Sequence, residues 1–385
     1  MISRAAGRNH LLDRNPPDRR RGALNSSLNE LGLSRRGFFG HLGAAAAVGG
    51  LPFLAHATAT PKAGAPRVTV CGLGGTGGNL LHRYVETGGG CGARTLCIDT
   101  DAVALGRRSV DRRLLLSPPG VAMHETWPPV EFLFARHRDE IAAELEGCDL
   151  LILVAGLGGN CATRLAPEVA RLGRESGAVV TAITVTPFFF EGARTIHAEA
   201  GKMLLARSAH WIVSVPMDVI AAKFDPSATF LDVVEIGDRI ALNALRESTS
   251  NAATILGAFQ GTEPVASKQA EIFFLQELEE KIDSERRALE EGLASIDDVV
   301  SNACRVDREG QNALPTIFRT VVMPLQQAAQ NIRARLADLR WLTSELRVES
   351  RLDIAAVDAL LDEATPVLLR VAEHLESLQV ARARS

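Results

Sequence analysis

A doubly wound, mostly parallel α/β sheet followed by an α-helical domain is the fold class this sequence predicts, on three observations. Short β-branched or apolar runs alternate with helical stretches from Arg67 to about residue 245. Two of those runs empty into glycine-rich segments. From about residue 261 the apolar residues recur at helical spacing alone. The chain has 385 residues, more than the ~100–200 of a usual domain, so two domains or one with an appendage is expected. With 46% hydrophobic and 23% charged residues the composition is that of a packed protein, which argues against disorder, collagen and a polytopic membrane protein. A net charge of −4 offers no general attraction to nucleic acid, and the folded part carries no basic stripe. The six cysteines form no CxxC pair, so neither a zinc site nor a disulfide framework is implied.

Residues 1–33 are Arg-rich without a periodic apolar face and read as a disordered arm. Residues 34–59 hold Ser34-Arg35-Arg36-Gly37-Phe38-Phe39, a weakly apolar stretch from Leu42 to Leu54, and small residues at Ala55-His56-Ala57 or Ala57-Thr58-Ala59. This order resembles a twin-arginine export signal. It implies transport of an already folded protein to a periplasmic or membrane-attached position; the alternative is an unstructured extension with a chance Arg-Arg in a cytoplasmic protein. Residues 60–66 read as a linker.

Val68-Thr69-Val70-Cys71 is a strand that runs directly into Gly72-Leu73-Gly74-Gly75-Thr76-Gly77-Gly78-Asn79, with helix expected up to about Glu86. Glycines here let backbone N–H groups approach phosphate, and the following helix start adds about half a positive charge. Its bland counterpart is a tight α/β turn. Arg94 to Asp101 is a second strand ending in carboxylates, Asp99 and Asp101, one of which would suit a ribose in a dinucleotide site. Asp149 to Ala155 is continuously apolar, hence a strand buried on both faces. It leads to Gly156-Leu157-Gly158-Gly159-Asn160-Cys161-Ala162-Thr163 and a helix. Two phosphate-type glycine segments on one sheet depart from the dinucleotide pattern. Strands Val179–Val185 and Trp211–Val215 follow, ending at Pro187-Phe188-Phe189-Phe190-Glu191-Gly192-Ala193-Arg194 and Pro216-Met217-Asp218.

In this order the segments resemble the tubulin/FtsZ superfamily of GTPases, over Arg67 to Leu245. The Gly72–Asn79 run is similar to the family's first glycine loop, Ile98-Asp99-Thr100-Asp101 to its Asn-Thr-Asp, and Ala155-Gly156-Leu157-Gly158-Gly159 to the opening of the tubulin signature. Pro187 to Gly192 resembles the FtsZ Pro-Phe-x-Phe-Glu-Gly loop, and Val215-Pro216-Met217-Asp218 the later Pro-Asn-Asp. The resemblance implies a guanine nucleotide, GTP or GDP with or without Mg. Its phosphates would be cradled by Gly72, Gly74, Gly75, Thr76, Gly77, Gly78, Asn79 and by Gly156, Gly158, Gly159, Asn160, Cys161, Ala162, Thr163. Glu191 would meet the ribose, with Asp99, Asp101, Arg194 and Met217 near the nucleotide and Asp238 at the guanine edge.

The chain also departs from the family. Three glycines of the second loop are Asn160, Ala162 and Arg164, though Thr163 and Arg164 offer polar contacts. No counterpart of the γ-phosphate loop stands in Leu114 to Pro129, the base-stacking aromatic is replaced by Val234, and the base-reading Asn-Asp by Asp238-Arg239. The acidic loop with which a neighbouring FtsZ subunit polarises the attacking water is missing, so hydrolysis is expected to be weak or absent. Two alternatives stand beside nucleotide binding: a non-enzymatic scaffold that kept the fold and lost the ligand, and a dinucleotide-dependent enzyme.

From Ile272 to Val300, and again over Pro315–Leu342 and Leu352–Val380, apolar residues at helical spacing predict a hairpin or bundle interrupted by Pro324 and Pro366. It would serve either self-association or partner binding, or pack on the first domain. Cys161 has two readings: a thiol whose pKa falls at a helix start, or a replaced threonine. The histidines have no triad or HExxH context.

Overall fold

Six β-rich segments line up side by side with all neighbouring pairs parallel. A computed structural model describes residues 65–89, 92–116, 130–224, 229–264, 268–308 and 313–384. The expected arm, the export signal, most of the linker and residues 117–129 of the missing-loop segment lie outside the described residues. In chain order come β1 (Val68–Leu73), α1 (Gly74–Glu86), β2 (Ala93–Asp99), α2 (Ala102–Gly106), β3 (Arg112–Leu115) and α3 (Val130–Leu145). Next are β4 (Leu150–Gly156), α4 (Asn160–Glu175), β5 (Val179–Thr186), α5 (Ala193–Ala206), β6 (Trp211–Pro216), α6 (Met217–Ala221), α7 (Phe230–Ser250) and α8 (Ala252–Phe259). The sheet order is β3-β2-β1-β4-β5-β6. Val68 of β1 lies opposite Ala93 on one side and Leu150 on the other.

Leu150 to Val154 are all buried, because α1 covers β4 on one face and α4 on the other; that is why this strand reads as an unbroken apolar run. α1 and α7 pack on one face, and α3, α4 and α5 on the other. Each fully buried Leu or Ile here contributes about 1.5–3 kcal/mol relative to exposure. Two short elements, α2 and β3, were not anticipated: five and four residues are too few to show a period.

The rest is helical: α9 (Lys268–Arg308), α10 (Ala313–Ile317), a π turn over Phe318–Val322, α11 (Met323–Leu346) and α12 (Ile354–Arg384). Among the described residues no strand follows β6. Leu278 and Ile282 of α9, Ile332 and Leu339 of α11, and Leu361 of α12 share one apolar core with Ala200 and Leu204 of α5, so the bundle packs on the sheet domain through α5. Pro324, expected as an interruption, follows the π turn in a helical path unbroken from Ala313 to Leu346, the residue before α11, Val322, being itself helical (φ −67°, ψ −50°). Pro366, expected as an interruption, sits inside a continuous α12. It and Asp362, whose carbonyl loses the helical partner, are both exposed, so water can take the orphaned oxygen. Among the described residues no helix is long and apolar enough to cross a membrane.

Candidate functional site

In a sheet of this order the strand sequence reverses between the parallel neighbours β1 and β4, and the crevice beyond their carboxyl ends is where open α/β sheets receive ligands. Both glycine segments open there. Each was expected as a loop leading to a helix, yet α1 is already helical from Gly74 and α4 from Asn160. The residues preceding them, Leu73 and Gly159, are extended and provide no side-chain cap. By contrast Asp101 accepts from Val103 N at 2.8 Å and Ala104 N at 3.0 Å to cap α2, and Thr229 caps α7. The first-turn N–H groups of α1 and α4 thus lack side-chain acceptors, which leaves them for an anion.

The two starts touch. A Cβ built on Gly74, whose φ of +64° turns the chain out of β1, would lie 3.2 Å from Ala162 Cβ and 3.4 Å from Ala162 N. One on Gly156 would meet Thr76 Cβ at 2.5 Å, and one on Gly77 would fall 2.1 Å from Val154 O. Gly72 and Gly78 are similarly enclosed, by Gly77 O at 2.7 Å and by Cys97 Sγ at 3.0 Å. Gly158, with φ of +95°, faces Arg194 O and Pro187. Only Gly75, with nothing within 4 Å, and Gly159, with the Arg194 guanidinium at 3.9 Å, border open space. Gly75, Thr76, Asn79 and Asn160 are exposed, while Ala162 and Thr163 are buried. The buried Thr163 hydroxyl accepts from Gly158 N at 2.8 Å and so shapes the segment.

Around this rim the remaining residues are mostly engaged. Asp99 is buried at the end of β2, accepting from Thr100 N at 2.7 Å and Asp101 N at 3.3 Å; burial raises its carboxyl above the usual range despite those bonds. Glu191 accepts from Phe188 N at 2.8 Å and from Arg194 Nη1 at 2.6 Å, and Arg194 Nε donates to Gly158 O at 3.1 Å. Asp238 on α7 is held by Arg83 of α1. Met217 starts α6 and is buried, its Sδ 2.5 Å from where a Cβ on Gly237 would stand.

The Cys161 thiol does not become acidic at its helix start: burial, with the Asp99 carboxylate adding to it, pushes its pKa up to about 12. Arg164 turns from the crevice to neighbouring helices: it pairs with Glu131 of α3, and toward the bundle it sits 3.9 Å from Asp338 and 4.6 Å over the Trp341 ring of α11. The residue that sequence reasoning missed is Arg108, past α2. Its Nε is buried without a hydrogen bond, 3.2 Å from where a Cβ on Gly78 would stand. An arginine in an arginine-heavy chain carries no local signal; only the fold brings it to α1.

The class defined by this fold and edge is a doubly wound α/β domain with two uncapped helix starts meeting at its switch point. Residues 67–218 match the family described as "Tubulin/FtsZ family, GTPase domain". The chain is 32% identical over 182 residues to "Cell division protein FtsZ 2" of Rhizobium meliloti, covering 46% of this chain and 51% of the relative. It is 37% identical over 155 residues to "Cell division protein FtsZ" of Haloferax mediterranei, covering 39% and 41%. A solved structure, "FtsZ dimer, empty (M. jannaschii)", is similar at 25% identity with a TM-score of 0.44, over 54% of this chain and 60% of that one. The chain spans about half or less of the length of these curated relatives. The similarity to the tubulin/FtsZ family falls on the sheet domain, over residues 67–218.

Proposed function

We propose that this chain is a divergent FtsZ/tubulin-like protein that binds a guanine nucleotide, GTP or GDP, and hydrolyses it weakly or not at all. The observation that carries the reading is the contact of Gly74 with Ala162, which sets two uncapped helix starts side by side with open space at Gly75 and Gly159. The nucleotide's phosphates would lie on the first-turn amides of α1 and α4, flanked by Thr76 and Arg194. Among the described residues no cluster of three or more His, Cys, Asp or Glu could hold a metal, so a Mg ion would be carried chiefly by the phosphates. After α7 comes α8 and then Thr262-Glu263-Pro264, where Glu263 pairs with Arg174. Among the described residues between α7 and α9 no acidic loop stands to position water at a neighbouring copy, which supports weak hydrolysis.

Nucleotide extracted from natively purified protein and separated by chromatography tests this. Bound GDP or GTP near one per chain is expected; protein that carries none and shows no affinity at millimolar GTP would leave the scaffold reading. That second reading is favoured by Arg164 being engaged by Glu131 and the Trp341 ring and not by the crevice. Export by the twin-arginine route belongs to the same proposal, to a periplasmic or membrane-attached position. Changing Arg35 and Arg36 together to Lys should then retain the protein in the cytoplasm, and an unchanged distribution on fractionation would remove the signal. Self-association through the helical domain is supported by the exposed Ile272 and Phe273 of α9.

A further inference from the structure

Polar contacts between the sheet domain and the helical bundle converge on the two helices beside the second glycine segment. Asp338 of α11 is buried; His197 of α5 donates from Nδ1 to its Oδ1 at 2.5 Å, and Arg164 of α4 stands 3.9 Å from the same oxygen. Trp341, one turn further along α11, is met by both. The Arg164 guanidinium lies 4.6 Å over its ring, and the His197 ring is 5.8 Å away. Past the end of α5, Arg207 donates to Glu345 O at 3.2 Å and pairs with Glu271 of α9 at 3.4 Å. Apolar packing is non-directional and holds α5 on α11 without fixing its place, whereas a buried carboxylate shared between α4 and α5 sets where the two helices stand.

That placement reaches the crevice through close contacts. α5 lies on α4 so tightly that a Cβ on Gly201 would fall 2.3 Å from Thr163 Cγ2 and 2.9 Å from Thr163 O. The Thr163 hydroxyl in turn accepts from Gly158 N at 2.8 Å, and Gly158 O accepts from Arg194 Nε at 3.1 Å, one turn of α5 before His197. The Arg194 guanidinium is 3.9 Å from where a Cβ on Gly159 would stand, so an anion on the Gly159 amide would lie between α4 and the start of α5. Such an anion and Asp338 hold the same pair of helices at one spacing. Whichever is in place lowers the ordering cost of the other.

We propose that Asp338 and Trp341 are positioning residues for the phosphate site, so that docking of the bundle on α4 and α5 and binding of a nucleotide's phosphates strengthen each other. This rests on the nucleotide reading above and deepens it; the family match, over residues 67–218, does not reach the bundle. The experiment dialyses GDP against the full chain as parent, as His197→Ala, as His197→Asn, which returns an N–H near the place of Nδ1, and as Asp338→Asn. Hydrogen exchange of α11 is followed with and without saturating GDP. His197→Ala and Asp338→Asn should bind GDP about tenfold more weakly, the scale of coupled sites, and His197→Asn within about threefold of the parent. Reciprocally, GDP should slow exchange of the α11 amides by a similar factor in the parent and leave them unchanged in His197→Ala. A cluster that only holds the fold together would lower Tm in His197→Ala at unaltered GDP affinity. That result, or α11 exchange indifferent to GDP in the parent, would overturn the coupling while sparing the phosphate site. Where His197→Ala does not fold, Asp338→Asn, which keeps the shape and changes the charge, is read against the same outcomes. A parent chain that binds no GDP at millimolar concentration would overturn the phosphate reading and the coupling with it.

Discussion

The two glycine-bearing helix starts differ in what their glycines do. At α1, Gly72, Gly77 and Gly78 are packing residues: each lets the helix lie against β1, β4 or β2 at a distance no side chain would allow, and Gly75 alone borders open space. At α4 a single glycine, Gly159, is open, Gly158 serves a turn, and the helix proceeds through Asn160, Cys161 and Ala162. The lesson is that a glycine-rich run does two jobs, close approach of helix to strand and exposure of amides, and most of these glycines do the first. That explains how the second segment holds its place with Asn160, Ala162 and Arg164 in it, since α4 is held by Thr163, by its apolar face and by Arg164.

Substitutions at each start should separate the two jobs. The largest effect is expected from Gly77→Ala, whose methyl would fall on Val154 O between α1 and β4: about 3 kcal/mol of stability lost, read by denaturant unfolding. Next is Arg164→Ala, which removes a stacked guanidinium from Trp341 and strands Glu131. About 2 kcal/mol should be lost, with the near-ultraviolet signal of Trp341 altered and the sheet domain retained. Gly75→Ala should leave stability within about 1 kcal/mol or raise it slightly, because nothing crowds the added methyl.

The smallest effect is a pH dependence at Asp99. Burial raises this carboxyl in the folded state, so the folded protein prefers it protonated. Its favourable contribution is complete below the unfolded value of about 3.9 and is lost as pH rises through the higher folded value. Asp99→Asn, which keeps an oxygen for the Thr100 and Asp101 amides, should therefore raise Tm at pH 7 and change it little below pH 4. An equal shift at both pH values would contradict the titration.

The strands could be read because β1, β4 and β5 are rich in apolar and β-branched residues buried on both faces, and are closed by Gly74, the Gly156 segment and Pro187. The two amide-bearing segments were legible for the same reason. That they form helical turns instead of loops was not, since glycine's intrinsic bias against helix is overridden here by packing on β4. Nor could the sequence place Arg108 beside Gly78 or Arg164 over Trp341, because those contacts join residues far apart in the chain and have no local period. The same holds for the carboxylates: Asp101, Glu191 and Asp238 stand where a nucleotide contact was expected, and the fold assigns each an internal partner first.

Whether amides at Gly75 and Gly159 hold phosphate is read most directly by equilibrium dialysis of GDP against the parent chain, Gly75→Ala and Gly159→Ala. One site on the parent is expected, weakened about tenfold or more in each variant at unchanged Tm, because the added methyl would stand in the open space and hold phosphate off amides that the substitution keeps. Parent protein that retains no GDP at millimolar concentration, or variants that bind it as the parent does, would contradict the placement of phosphate between these two helices.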